Sequence, residues 1–414
     1  MRLGKGTRTS TRIWSIVVVM ALGGIVVVGT GVRIPYPIAE NSRPQKSAAG
    51  QGQVVTVQPA VTSPTSHPPV FNVVNYGADP SGVRDSTNAI RRAIAAAESH
   101  PYSEVYFPPG RFLLDQRSPH LFDFVIDRPI HIVGAGPHAT TIINKIGRKT
   151  PGVSLSTVIF EIVAAHGMHT GGGSGSSISD MTLNSAMYDA GTDIMDFGSY
   201  TSLTNLIVLA ARSTHQYNRN SFGIRVITVC NPANYSYVYR MDNVIRNVTI
   251  VGSGSGGNTE LDLSCQVGTT ASHISIHGNG MDIFYSRDIH VSHADLTGGL
   301  HGNTQDFTWV VTGSSHVALS HITTDGQGGV IEPDPVLVSH QIQIAQERMI
   351  DRAAFMRIGD VQQLAVTHST LGNIAIDPVF SVTHVTMLDT TYGRIWCRRG
   401  TKISGLSGLR CPTS

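Results

Sequence analysis

The feature that most constrains this chain is a stretch that returns: SRDIHVSH, Ser286 to His293, is followed 28 residues later by SSHVALSH, Ser314 to His321. The shared core is a polar or small residue followed by apolar, any, apolar. The same core begins at Asp180, Asn205, Gly223, Asn247, His273, Asp288, His316, Gln341, Gln363 and His384. The steps are 25, 18, 24, 26, 15, 28, 25, 22 and 21 residues. Short period-2 strands at a nearly constant step mark a solenoid. A rung this short cannot bury its own apolar face and must stack on its neighbours. The expected architecture is a parallel β-helix, an all-β fold.

Composition narrows the partners. The 414 residues carry a formal charge of +2, and nothing in that balance favours nucleic acid. The 43 glycines suit a chain that turns a corner every few residues. Of four cysteines, Cys397 and Cys411 are close enough to clip the C-terminal tail, and Cys230 and Cys265 sit about one rung apart. Four buried thiols are the alternative.

Residues 1–12 are basic, and residues 13–32 carry no charge over a length that spans a bilayer. They read as an uncleaved transmembrane anchor, with a cleaved export signal as the alternative. Either places the rest of the chain outside the cytoplasm, anchored at the cell surface or secreted. Residues 33–69 read as a Pro/Ser/Thr-rich linker, and residues 70–414 as the folded domain. Within it, Asp85 is a candidate N-cap for a helix from about Ser86 to Glu98, with Ala89, Ile90, Ala93, Ile94 and Ala97 on one face. Such a helix would close the open end of the solenoid.

The string FNVVNYGADPSGVRDSTNAIRRAIAAA…VYFPPGRFLL at 71–114, supported by RPIHIVGAGPHATTI at 128–142, resembles the N-terminal signature of the pectate lyase superfamily. The nearest branch is the rhamnogalacturonase and epimerase-like one, related to the polygalacturonases. The resemblance implies a right-handed parallel β-helix that handles acidic or complex polysaccharides outside the cell.

On a rung strand the residue between the two apolar positions points outward. That parity turns out Arg225 and His290, with His277 and Asp288 flanking, so one wall is expected to concentrate His, Asp and Arg against a sugar chain. The polygalacturonase motifs NTD, paired aspartates, GHG and RIK have partial echoes here, in order. They are Asn258-Thr259-Glu260 with Asp262, Gly280-Met281-Asp282, Leu300-His301-Gly302 and Met356-Arg357-Ile358, where Gly359 replaces the lysine. The resemblance then implies Glu260 or Asp262 as base, Asp282 as acid and His301 as an orienting group. Arg225, His277, Asp288, His290 and Arg357 would contact substrate. An inverting glycosidase needs such carboxyls about 6.5–9.5 Å apart. No metal or cofactor is expected for hydrolysis. The alternatives are a lyase acting by β-elimination, where Ca²⁺ would be expected, and a non-catalytic glycan-binding module.

Overall fold

The computed structural model describes residues 68–411 except 116–121, 146–156, 165–171, 187–190, 211–221, 229–239, 253–258 and 298–306, and shorter gaps at 327, 333, 335–336, 352, 379–380, 399–401, 406 and 408–410. It is a right-handed parallel β-helix. The described strands form one sheet of 17 and another of 11, and every strand pairing is parallel. The larger sheet wraps around a corner. In Arg287–Thr297, Ile289 and Val291 are buried, the alternation slips at Ser292 and His293, and Ala294 and Leu296 are buried beyond it. Each coil therefore has three faces, one from the smaller sheet and two from the larger.

Corners are made by residues in the left-handed region, where Asn, Asp and His are tolerated better than most side chains. One column runs in register from Asp180 through Asn205, Asn247, His273, His293 and His321 to Gln346, His368 and Asp389. A second contains Asp242, Gly268, Asp288, His316, Gln341, Gln363 and His384. Side chains of the first column stack: the rings of His293 lie 4.9 Å from His273 and 4.5 Å from His321, within 6° of parallel.

These columns explain the repeat and correct its phase. Heads from Asp180 to His273 belong to the first column, apart from Gly223, and heads from Asp288 onward belong to the second. The short step of 15 is the jump between them. Gly223-Ile-Arg-Val belongs to neither column, because Phe222–Ile227 is a strand of the smaller sheet. The single wall joining Arg225 to the His273–His316 rungs therefore does not exist.

Inside, like stacks on like. Ile132, Ile178, Leu203, Ile245, Ala271, Val291, Leu319, Ile344 and Val366 form one inward ladder, all essentially inaccessible. Each large aliphatic side chain contributes about 1.5–3 kcal/mol by leaving water. Trp309 is fully buried and donates from Nε1 to Glu347. The helix Thr87–Glu98 packs on the first strands through Ala89, Ile90, Ala93, Ile94 and Ala97. Ser86 is its N-cap residue but makes no side-chain cap; Asp85 Oδ1 instead accepts from Thr87 N at 3.1 Å.

Cys397 and Cys411 form a disulfide with Cα atoms 5.8 Å apart. Cys265 is also disulfide-bonded, to a partner outside the described residues. The expectation of a transmembrane helix is corrected: among the described residues no helix is long and apolar enough to cross a membrane. The segments 1–12 and 13–32, and the linker up to residue 67, lie outside the described residues.

Three carboxyls away from any candidate chemistry are wholly buried. Burial pushes Asp193 up to about 8, and Asp196 and Glu347 up to about 7. In the unfolded chain such groups lose their proton near pH 4. Between those limits the folded chain binds more protons, so its stability falls as pH rises, by up to about 1.4 kcal/mol per pH unit for each group. The contribution is complete below about pH 4 and gone above about pH 8. Thermal unfolding should accordingly show a higher midpoint at pH 5.5 than at pH 8.5; a midpoint that rises over this interval contradicts the assignment.

Candidate active site

The smaller sheet assembles the chemistry. Its strands run in register, and one outward position carries Glu161, Met195, Arg225, Asp262, Asp282, Val310, Val330 and Arg357 in successive coils. Parity dictates this. In Thr259–Ser264, Leu261 and Leu263 are inward and fully buried, which turns Asp262 out. In Met281–Phe284, Met281 and Ile283 do the same for Asp282.

Arg225, Asp262 and Asp282 thus stand side by side. Arg225 Nε lies 2.8 Å from Asp262 Oδ2, with only 16% and 3% of the two side chains exposed. The Arg225 guanidinium also sits over the Phe222 ring, 4.6 Å from its centroid, a cation–π contact that helps fix its plane. The Ser264 hydroxyl donates to Asp262 Oδ1, and Thr259 Oγ1 donates to Asp282 Oδ2 at 2.6 Å.

The two aspartates differ electrostatically. Burial raises both. For Asp262 the Arg225 cation and the Ser264 hydroxyl oppose the rise. For Asp282 only Thr259 opposes it, while Asp262 and Glu332 add negative charge nearby, and it reaches about 7. Two neighbouring carboxyls titrate as a pair, and their first proton goes where no cation competes with it. That place is Asp282. Below Asp282's value of about 7 the pair therefore favours the proton on Asp282 and the charge on Asp262, beside Arg225, the arrangement that acid–base chemistry requires.

The other candidates divide. Glu260 is buried and folded beneath the turn at 278–280, where its Oε2 accepts from Asn279 N at 2.5 Å and Gly280 N at 2.8 Å, and burial lifts its carboxyl to about 8. It braces the turn, and it is as deeply buried as Asp262. Arg357 shares the column but lies three strand steps from Asp282, about 14 Å, and pairs with Asp377 at 2.7 Å. His277 lies on another face, between Ser275 and Thr297. Asp288 is a corner residue beside Arg287 and His316. His290 is exposed on the face that follows. These last two line a shallow groove of about 580 Å³ with His316, Gln341 and Gln343, on a different face from the aspartates. His301 lies outside the described residues.

Of the aromatic residues, Tyr285 donates its hydroxyl to Asp334 at 2.7 Å. Glu161 escaped the sequence reading; burial lifts it to about 7. Its signal was present, as an acid inside the apolar run Val158–Ile162. Among the described residues no group of three or more His, Cys, Asp or Glu is placed to hold a metal ion.

The family model described as rhamnogalacturonase A/epimerase, pectate lyase-like, matches residues 70–308. The chain belongs to this family. Arg225, Asp262 and Asp282 lie within the matched region, and Arg357 lies beyond it. No curated protein shows significant similarity to the chain. Among solved structures, the A-module of the mannuronan C-5 epimerase AlgE4 from Azotobacter vinelandii is 15% identical, covering 81% of this chain and 100% of that one, with a TM-score of 0.40. The catalytic unit of the GH87 α-1,3-glucanase from Streptomyces thermodiastaticus is 15% identical over 86% and 70%, with a TM-score of 0.41. The Dettilon tailspike protein is 11% identical over 81% and 65%, with a TM-score of 0.52. Similarity at this level speaks to fold alone.

Proposed function

We propose that this family member is a glycoside hydrolase of an acidic, pectin-like polysaccharide. The observation that carries the reading is the pair of carboxyls on adjacent rungs, Asp262 beside the Arg225 guanidinium and Asp282 held by Thr259 with no cation beside it. Asp282 would give its proton to the glycosidic oxygen as the C1–O bond breaks. Asp262 would meet the positive charge developing on the sugar and attack the anomeric carbon. Asp282, now a carboxylate, would then take a proton from the water that releases the sugar.

Adjacent strands lie about 4.8 Å apart. That is closer to the ~5–5.5 Å of retaining enzymes than to the ~6.5–9.5 Å of inverting ones, so this reading replaces inversion with retention. The acidic substrate is supported by the family. The Cys397–Cys411 bridge supports an oxidising compartment outside the cytoplasm. A lyase with an arginine base is disfavoured, because a guanidinium paired to a carboxylate at 2.8 Å keeps its proton.

The test is incubation of the whole chain with polygalacturonate, rhamnogalacturonan and alginate, with Ca²⁺ or EDTA, following reducing ends and unsaturated-uronate absorbance together. Reducing ends without absorbance are expected. Absorbance would replace hydrolysis by β-elimination, and neither signal would favour a glycan-binding module.

A further inference from the structure

The smaller sheet continues past the aspartates to a second outward cluster. Asp282, Val310, Val330, Arg357, Ala375 and Trp396 follow one another in register. Five strand steps place Trp396 about 24 Å from Asp282 along the solenoid. Its neighbours Ile395 and Cys397 pack toward the core, whereas Trp396 is turned out and is 43% exposed. The indole keeps a large, flat surface in water.

What surrounds it is specific. The Phe355 ring lies 5.0 Å from Trp396, tilted by 38°. Ala375, between Arg357 and Trp396, leaves a low floor. Arg357 and Arg398 converge on Asp377 at 2.7 and 3.1 Å, and Arg394 is exposed on the same strand edge. Among the described residues, Arg357, Arg394 and Arg398 thus stand near Asp377 on this face. The Cys397–Cys411 disulfide anchors the strand that carries Trp396.

An aromatic plane offers a stacking surface to the C–H face of a sugar, and arginines recognise carboxylates. We infer that Trp396 and Phe355, with Arg394 and Arg398, form a distal subsite for a uronate residue of a polysaccharide lying along this sheet. The inference rests on the reading of Asp262 and Asp282 as the cleavage centre. It adds that the enzyme grips its chain several sugars away from the broken bond. Remote contacts of this kind favour long substrates over short ones.

The experiment uses the full chain, Trp396→Ala and Trp396→Phe. Affinity for polygalacturonate, alginate and neutral dextran is measured by calorimetry, and kcat/KM on short and long oligogalacturonates. Trp396→Ala should weaken polyuronate binding at least tenfold and lower kcat/KM on long oligomers, leaving short ones unchanged, with Trp396→Phe intermediate. Unchanged affinity in Trp396→Ala overturns the subsite, as does dextran binding as tightly as polyuronate, or no polyuronate binding by the wild type. Trp396-dependent binding without any cleavage would sink the hydrolase and leave the subsite standing. Asp282-dependent cleavage indifferent to Trp396 would do the reverse.

Discussion

Replacing Asp282 with Asn should lower turnover on a cleaved polysaccharide by about 10²–10⁴-fold, the range attributed to a positioned general acid. The substitution keeps the shape and still accepts from Thr259, so the fold should survive. It also removes the charge that Asp282 would carry above its raised pKa of about 7, next to Asp262 and Glu332. Loss of activity should therefore come with unchanged or higher thermal stability at pH 8. A destabilised enzyme loses both, which makes the split diagnostic. In the wild type, activity should fall as pH rises through about 7, because the acid is then deprotonated. Asp262→Asn should also abolish turnover, but at a cost in stability, since it strands Arg225 in a site where only 16% of its side chain is exposed. Full activity in Asp282→Asn would remove the acid from the mechanism.

How far the sequence led can be judged from particular residues. The solenoid was legible because corner residues such as Asn205, His273 and His316 are tolerant of positive φ and are followed by an inward, outward, inward triplet. The N-terminal helix was legible from its apolar stripe. What failed was the assignment of faces. Period-2 alternation separates inside from outside but does not say which of three outer faces a residue occupies. Two corners carry the same signature, so His290 and Arg225 looked like neighbours although they belong to different sheets. Strands of the smaller sheet do not start from a column of left-handed Asn, Asp or His; Cys265, Tyr285 and Gly313 take that conformation after their strands instead. The ordered motif echoes pointed to Asp262 and Asp282, which do stand together. They pointed equally to Glu260, whose outward parity matches that of Asp262. Only the turn folded over it separates a strut from an acid, and that packing is tertiary.

Glu260 is where the distinction can be measured. Its carboxyl oxygen Oε2 accepts from two backbone N–H groups, and its own N–H and that of Leu261 donate back to Gly280 O. The side chain runs between two glycines that leave it room: a Cβ on Gly252 would sit 1.8 Å from Oε1, and one on Gly278 2.2 Å. Glu260→Ala leaves both donors buried without partners, at about 1–3 kcal/mol each, and opens a cavity beneath the turn. A loss of about 3 kcal/mol or more is expected in urea unfolding, with Gly252→Ala destabilising for the complementary reason. Below the unfolding transition, the remaining folded molecules should still turn over substrate, because Asp262 and Asp282 keep their own partners. Glu260→Gln retains an acceptor for one N–H and should lose less stability than Glu260→Ala. If instead Glu260→Gln folds with wild-type stability and is inactive, the brace is the wrong assignment and Glu260 belongs with the aspartates.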